Sequence, residues 1–309
     1  MNSIHELGEQ IGTKLAKAEE LGAQGLVDES MKIDSKVEFV VAKEAPSSQE
    51  IFDQSLRWHD EFNARFWKDK ESYHDRDHVE AADTALQLFV EEAFKENGKD
   101  PLDIKGNLKR WNENHPEAFV EEKDFAEVCK LFIGFHDNGN IMEDVKLVDG
   151  KWEPVYLEKG YNAEGAEDRS TKIAARVLGN LPENDPRHKF IPLIQQLINE
   201  TKFMVTDEKQ EFALLSRVAD QIGNGLFNKK GTKCVEGLRQ EMVHEKPERT
   251  YYPSPDFFAN FERERLDQLV PDTNTQTQIL DVLQKPLPEP RAGFSKDPDI
   301  RMDSVPMIF

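Results

Sequence analysis

Apolar residues recur three or four positions apart along most of this chain, the spacing of one face of an α-helix. The pattern predicts helices at about residues 3–24, 48–67, 75–96, 122–137, 162–179, 187–203, 209–225, 232–245, 255–270 and 274–285. In the third, Val79, Ala82, Leu86, Phe89, Val90 and Phe94 form a stripe that faces a core. Asn162 and Gly179 suit the two ends of the fifth. Two stretches read as strands instead. Residues 36–42 are rich in β-branched valine, and residues 145–157 carry an Asp149-Gly150 turn that predicts a hairpin. The expected fold class is all-α, a helical bundle with a small β-hairpin insertion.

Three regions follow from the same pattern: an N-terminal helical appendage at 1–46, a helical body at 47–246 and a Pro-rich C-terminal extension at 247–309. Of the 16 prolines, 9 fall in the last 63 residues, so parts of that extension cannot continue a helix. It also holds Tyr251, Tyr252, Phe257, Phe258 and Phe261, which predicts that part of it packs on the body.

Charge narrows the partners. The 309 residues carry 60 acidic and 40 basic side chains, a formal net charge of −20. That composition argues against polymeric nucleic acid and against an anionic membrane, both of which attract Lys and Arg. No apolar run approaches the roughly 18 residues of a membrane span. The N-terminus has no apolar segment of the secretory kind, and Cys129 and Cys234 are too few for a disulfide framework or a zinc ribbon. A cytoplasmic protein is expected. A chain this acidic could handle a phosphorylated ligand only with positive charge supplied from within.

The candidate chemistry lies in three elements. Tyr73-His74-Asp75-Arg76-Asp77-His78-Val79 places two histidines four apart, on one helical face if the segment is helical throughout. Phe135-His136-Asp137-Asn138-Gly139 ends the apolar run VCKLFIGF. Asp220 sits inside the apolar stretch LLSRVADQIGNGL, where an unpaired charge is costly. Each alone has a plain reading: a surface pair, a common dipeptide, an ion pair with Arg217. Together they place imidazoles and carboxylates on three otherwise apolar helices, a set most cheaply buried around a divalent cation.

At this point the sequence resembles the HD superfamily of metal-dependent phosphohydrolases, whose signature is His, then an adjacent His-Asp pair, then a distant Asp on a helical bundle. The form YHxxxHV followed by an apolar run into FHD is closest to the branch with a YHNxxH motif. Glu164-Gly165-Ala166-Glu167-Asp168-Arg169-Ser170 looks like that branch's acidic-then-serine helix start, and Leu197-Ile198-Asn199-Glu200-Thr201 looks like its helix ending in Thr. The resemblance covers residues 50–230 and implies an HD-domain-like bundle. It implies His78, His136, Asp137 and Asp220 as metal ligands and His74 as general acid. Asp137 or Asp220 would accept the proton of a metal-activated water. Candidate cations for phosphate charge are Arg76, Arg169, Lys202 and Arg217. Glu167 would face the substrate or hold a second ion. Asp75 stands where asparagine is usual and Gly139 where an apolar residue is common. With only His188 between Asp137 and Asp220, one tightly held ion is favoured. Mn, Fe, Mg, Zn, Co and Ni are not distinguished.

The expected function is a metal-dependent hydrolase of a phosphoester, a nucleotide or other small phosphorylated molecule. The alternatives are a non-catalytic HD-fold protein that binds a metal or nucleotide, and an HD-type di-iron oxygenase, which the shortage of histidines disfavours. A homodimer stays open as a partner. The hairpin at 145–157 is expected to act as a substrate-facing lid. Cys129, the four tryptophans and His5, His59, His115 and His244 read as packing, surface or structural residues, and no GxGxxG, P-loop or GxSxG motif occurs.

Overall fold

In the computed structural model, the residues described are 45–67, 72–158, 160–202, 211–231, 233–245 and 258–288. The expected helix at 3–24, the strand at 36–42 and the C-terminal end beyond 288 lie outside them. The described residues belong to a unit that begins at Ala45.

The first helix, α1 (Ser48–Phe62), starts where Ser47 and Glu50 cap each other's backbone N–H groups, and it widens into a π-helical turn at Asn63–Trp67. α2 (Arg76–Phe94) is capped by Asp75 and buries the predicted stripe Val79, Ala82, Leu86, Phe89 and Val90. α3 (Ile104–Asn114) was not predicted. Its buried Ile104, Asn107, Leu108 and Trp111 have helical spacing, but Gly106 and the polar residues between them mask it. α4 (Glu122–Phe135) is the central helix. Every residue from Leu131 to Phe135 is buried, and α1, α2, α6 and α7 all pack on it.

A short turn of helix, α5 (Asn138–Ile141), leads into the predicted hairpin. Strands β1 (Met142–Val148) and β2 (Lys151–Tyr156) pair antiparallel with Val148 opposite Lys151, so Asp149 and Gly150 make the two-residue turn, both at positive φ. α6 (Ala166–Gly179) begins after Gly165 rather than at Asn162, whose side chain instead accepts from the N–H of Glu164. α7 (Ile191–Asn199) follows a 3₁₀ turn at Pro186–Phe190.

Next, α8 (Ala213–Arg217) passes through a π-helical stretch, Val218–Gly223, into α9 (Asn224–Phe227). Gly223 lies so close to α2 that a Cβ there would meet the Ala85 methyl at 2.4 Å. α10 (Lys233–Glu245), α11 (Phe261–Leu269) and α12 (Thr273–Leu283) complete the described chain. α12 packs on α2, and Leu266, Ile279 and Leu283 enter the main core. A smaller cluster, Cys234, Val235, Met242, Phe258 and Phe261, lies beneath α10. The architecture is all-α with one small hairpin. No helix among the described residues is long and apolar enough to cross a membrane.

Candidate metal centre

His78 stands in the first turn of α2. The carboxylate of Asp75 accepts the N–H of His78 at 3.0 Å and is itself contacted by Lys230, so the cap that starts the helix also fixes this histidine's backbone. His74 precedes the helix. The two histidines are therefore not one turn apart on a single helical face, as their spacing predicted, because Asp75 takes the extended backbone of a cap. Their rings still come within 5.6 Å, centroid to centroid.

His136 is the residue at which α4 ends, and Asp137 follows it. Ser170 on α6 ties this turn down: its hydroxyl donates to the carbonyl of His136 and accepts the N–H of Gly139, both at 2.8 Å. A Cβ on Gly139 would lie 1.9 Å from the carbonyl oxygen of Ala166, which explains a glycine at a position where the resemblance leads one to expect a larger residue. Asp220 arrives from the π-helical stretch.

These four side chains converge. One ligand atom from each of His78, His136, Asp137 and Asp220 lies within 4.8 Å of all the others. The Nε2 atoms of His78 and His136 are 3.1 Å apart. Oδ2 of Asp137 is 2.7 Å from the first and 3.0 Å from the second, and Oδ1 of Asp220 is 3.2 and 3.5 Å away.

Nδ1 of His136 faces the carbonyl of Ile133 at 2.7 Å, so that nitrogen carries the proton and Nε2 presents a lone pair. Two imidazole nitrogens about 2.1 Å from one ion, at roughly a right angle, stand about 3 Å apart. The observed separation matches. Among the described residues, Oδ2 of Asp137 finds no hydrogen bond of good geometry although it is buried. The donor set fits a divalent cation.

The electrostatics agree. Burial pushes the His78 ring towards neutrality, but the carboxylates of Asp137 and Asp220 outweigh it and raise its pKa to about 9. His136 is raised in the same way. Burial lifts both carboxylates, yet the imidazoles hold Asp137 and Asp220 below the usual range. Two buried negative charges thus demand two positive ones, supplied either by two imidazolium protons or by one divalent ion.

His74 lies just outside this group. Its Nε2 is 3.9 Å from Oδ1 of Asp137, and its ring stacks on Tyr161 at 5.1 Å. The residue that sequence reasoning missed is Glu241 on α10, whose Oε2 is 2.6 Å from Nδ1 of His74. It belongs to no motif and falls beyond the stretch that carries the resemblance. His59, expected to be surface or structural, is buried beside the centre, with Nδ1 3.1 Å from the carbonyl of His74. Burial lowers its pKa to about 4, so the ring is neutral.

The other named residues have varied places. Arg76 is engaged at the surface by Asp60 at 2.6 Å and Glu80 at 3.4 Å. Arg169 closes a loop by donating to the carbonyls of Gly139, Asn162 and Glu164. Glu167 is near enough to feel both Lys202 and Asp137, with burial lifting its pKa. Burial lowers the pKa of Arg217, whose Nε donates to the carbonyl of Glu200 at 3.2 Å.

No family model matches the chain, and no solved structure matches it significantly. Among curated proteins, a stretch of 47 residues, 15% of the chain, is 57% identical to Luc7-like 1 of Mus musculus and of Homo sapiens, covering 13% of each. Luc7-like 2 of Mus musculus is 45% identical over 53 residues, which are 17% of this chain and 13% of that protein. All three are named as candidate RNA-binding proteins.

This likeness corrects two expectations. Relatives named for RNA binding point away from a phosphohydrolase of small phosphorylated molecules, the hydrolase reading taken from the sequence. They also overturn the exclusion of polymeric nucleic acid. That exclusion rested on net charge, which averages over the whole chain, whereas binding is decided by the charge of the segment that makes contact.

Proposed function

We propose that this chain is a metal-dependent enzyme in which His78, His136, Asp137 and Asp220 hold one divalent cation and His74 exchanges a proton beside it. The observation that carries this reading is the pair of Nε2 atoms 3.1 Å apart, with two carboxylate oxygens closing the group. An HD-like arrangement of the bundle goes with the reading, because the ligands follow that order along the chain. When bound, such an ion supplies Lewis acidity and a water of lowered pKa. The protein's part is to hold and orient. His136 is locked through Ile133, its backbone through Ser170, and His78 through the Asp75 cap. Nε2 of His74 lies 3.9 Å from Oδ1 of Asp137, which places the ring to give a proton to, or take one from, a group bound beside that carboxylate.

Elemental analysis of protein purified without chelator tests this. About one divalent transition metal or magnesium ion per chain is expected, and Asp137→Ala is expected to lose it. Protein without metal that takes up none on titration overturns the reading.

The Luc7-like stretch favours a second reading, RNA binding. It is tested by filter binding of the full chain to single-stranded RNA at several salt concentrations. Retention that weakens as salt rises supports it, and no retention at low salt defeats it. A cytoplasmic setting stays part of the proposal, in keeping with the two buried free cysteines, Cys129 and Cys234.

A further inference from the structure

α10 contributes no ligand to the metal centre, yet it makes two contacts with the segment that carries His74. The first is steric. A Cβ on Gly237 would lie 2.8 Å from both the carbonyl carbon of Ser72 and the backbone nitrogen of Tyr73, so only glycine lets α10 come this close. The second is polar and lies one helical turn later. Glu241 is completely buried, and its Oε1 accepts three hydrogen bonds: from the hydroxyl of Ser72 at 2.6 Å and from the N–H groups of Tyr73 at 2.7 Å and His74 at 3.2 Å. Its Oε2 faces Nδ1 of His74 at 2.6 Å.

A carboxylate can only accept. The short approach therefore places the proton of the neutral His74 ring on Nδ1 and leaves Nε2 bare. Nε2 is the nitrogen that points towards Asp137. Tyr161, stacked on the ring face, removes its remaining freedom to rotate.

We infer that α10 is a positioning element of the centre, in which Glu241 sets the tautomer and orientation of His74 and Gly237 sets the approach that lets Glu241 reach it. The inference rests on the reading of His74 as the proton-exchanging neighbour of a metal. A carboxylate this deeply buried, with each oxygen engaged by one short segment, is costly as a mere staple. A smaller apolar cluster, in which Cys234, Val235 and Met242 of α10 meet Phe258 and Phe261, helps hold the helix in place.

The experiment is a long-range ¹H–¹⁵N correlation on full-length protein labelled with ¹⁵N-histidine, recorded where the ring is neutral, with His74→Asn identifying the signal. Wild-type protein is expected to carry the His74 proton on Nδ1. Glu241→Gln keeps an oxygen for the three donors and turns its NH₂ towards Nδ1, so the proton is expected to move to Nε2. Gly237→Ala, which holds α10 away with Glu241 intact, is expected to give a mixture of both forms.

Wild-type protein with the proton on Nε2 overturns the inference without any variant. So does a folded Glu241→Gln that keeps it on Nδ1. Zn²⁺ titration of the same samples reads the metal centre separately. Glu241→Gln is expected to bind Zn²⁺ as tightly as wild type, and a tenfold or greater loss would make Glu241 part of the binding site rather than a positioning residue. Wild-type protein that binds no Zn²⁺ defeats the metal reading while leaving the tautomer result to stand or fall by itself.

Discussion

His78 and His136 meet through their Nε2 atoms at 3.1 Å, although they lie on different helices and 58 residues apart. Two lone pairs at that distance repel unless a proton or a metal ion lies between the rings. Loading the centre should therefore stabilise the fold. A ligand at one hundred times its Kd adds about 2.7 kcal/mol to folding stability. The melting temperature is expected to rise with added Mn²⁺ or Zn²⁺ in wild-type protein and in His74→Ala, and to stay fixed in Asp220→Asn. A metal-dependent rise in Asp220→Asn would remove that residue from the ligand set.

Gly139 predicts a cost at the turn behind His136. Its missing Cβ would overlap the carbonyl oxygen of Ala166 at 1.9 Å. Since this is backbone, it yields poorly, and Gly139→Ala should destabilise by about 1–3 kcal/mol, the usual scale of overpacking. Urea unfolding measures it. An unchanged midpoint would mean that α5 and α6 are less tightly joined than described.

Ser170 serves the same turn from the other side. Ser170→Ala leaves the carbonyl of His136 and the N–H of Gly139 without this partner, at about 1–3 kcal/mol for each buried polar group left unsatisfied. Metal affinity should fall with stability, because the released turn carries both His136 and Asp137. Calorimetric titration of the variant with Zn²⁺ checks this, and full affinity in a destabilised variant would separate the turn from the site.

Glu200 predicts a pH dependence away from the centre. Burial raises its pKa from 4.5 to about 7, although Gln196 and the N–H of Phe212 donate to it. The folded state then binds its proton more tightly than the unfolded state does. Stability from this group is present below pH 4.5 and is lost as pH rises towards about 7. Glu200→Gln should raise the melting temperature at pH 8, leave it nearly unchanged at pH 4, and flatten the profile between. An equal shift at both pH values would exclude ionisation of Glu200 as the cause.

The ligand set was legible because chemistry and periodicity disagree in the same places. His78, His136, Asp137 and Asp220 interrupt apolar stripes that would otherwise be continuous, and the structure brings all four together. The hairpin was legible from two residues, Asp149 and Gly150, whose positive φ few other pairs tolerate. α3 was hidden because its inward face is only four residues wide within a polar helix. The four-residue spacing of His74 and His78 suits one helical face, but spacing cannot tell a cap from a first turn. Glu241 was invisible for another reason. Its importance comes from a contact 167 residues away in sequence, and glutamate in a charged helix is ordinary until tertiary packing buries it. The phosphoester reading came from a resemblance covering residues 50–230, and the exclusion of nucleic acid came from a charge averaged over the whole chain, which does not describe any one segment.

The π-helical stretch at Val218–Gly223 has a consequence for mutation by length rather than by type. A π turn holds one residue more than an α turn, as though an insertion had been absorbed without lengthening the helix. Deleting Ala219 would let the stretch relax into an ordinary α-helix with better hydrogen bonds. Because the π turn absorbs its extra residue locally, the turns on either side would keep their places, and the change would fall on the stretch itself. Asp220 would then leave the helix in a different direction, since the widened turn sets where its carboxylate points towards His78 and His136. The most regular form of this helix is thus closed to the protein.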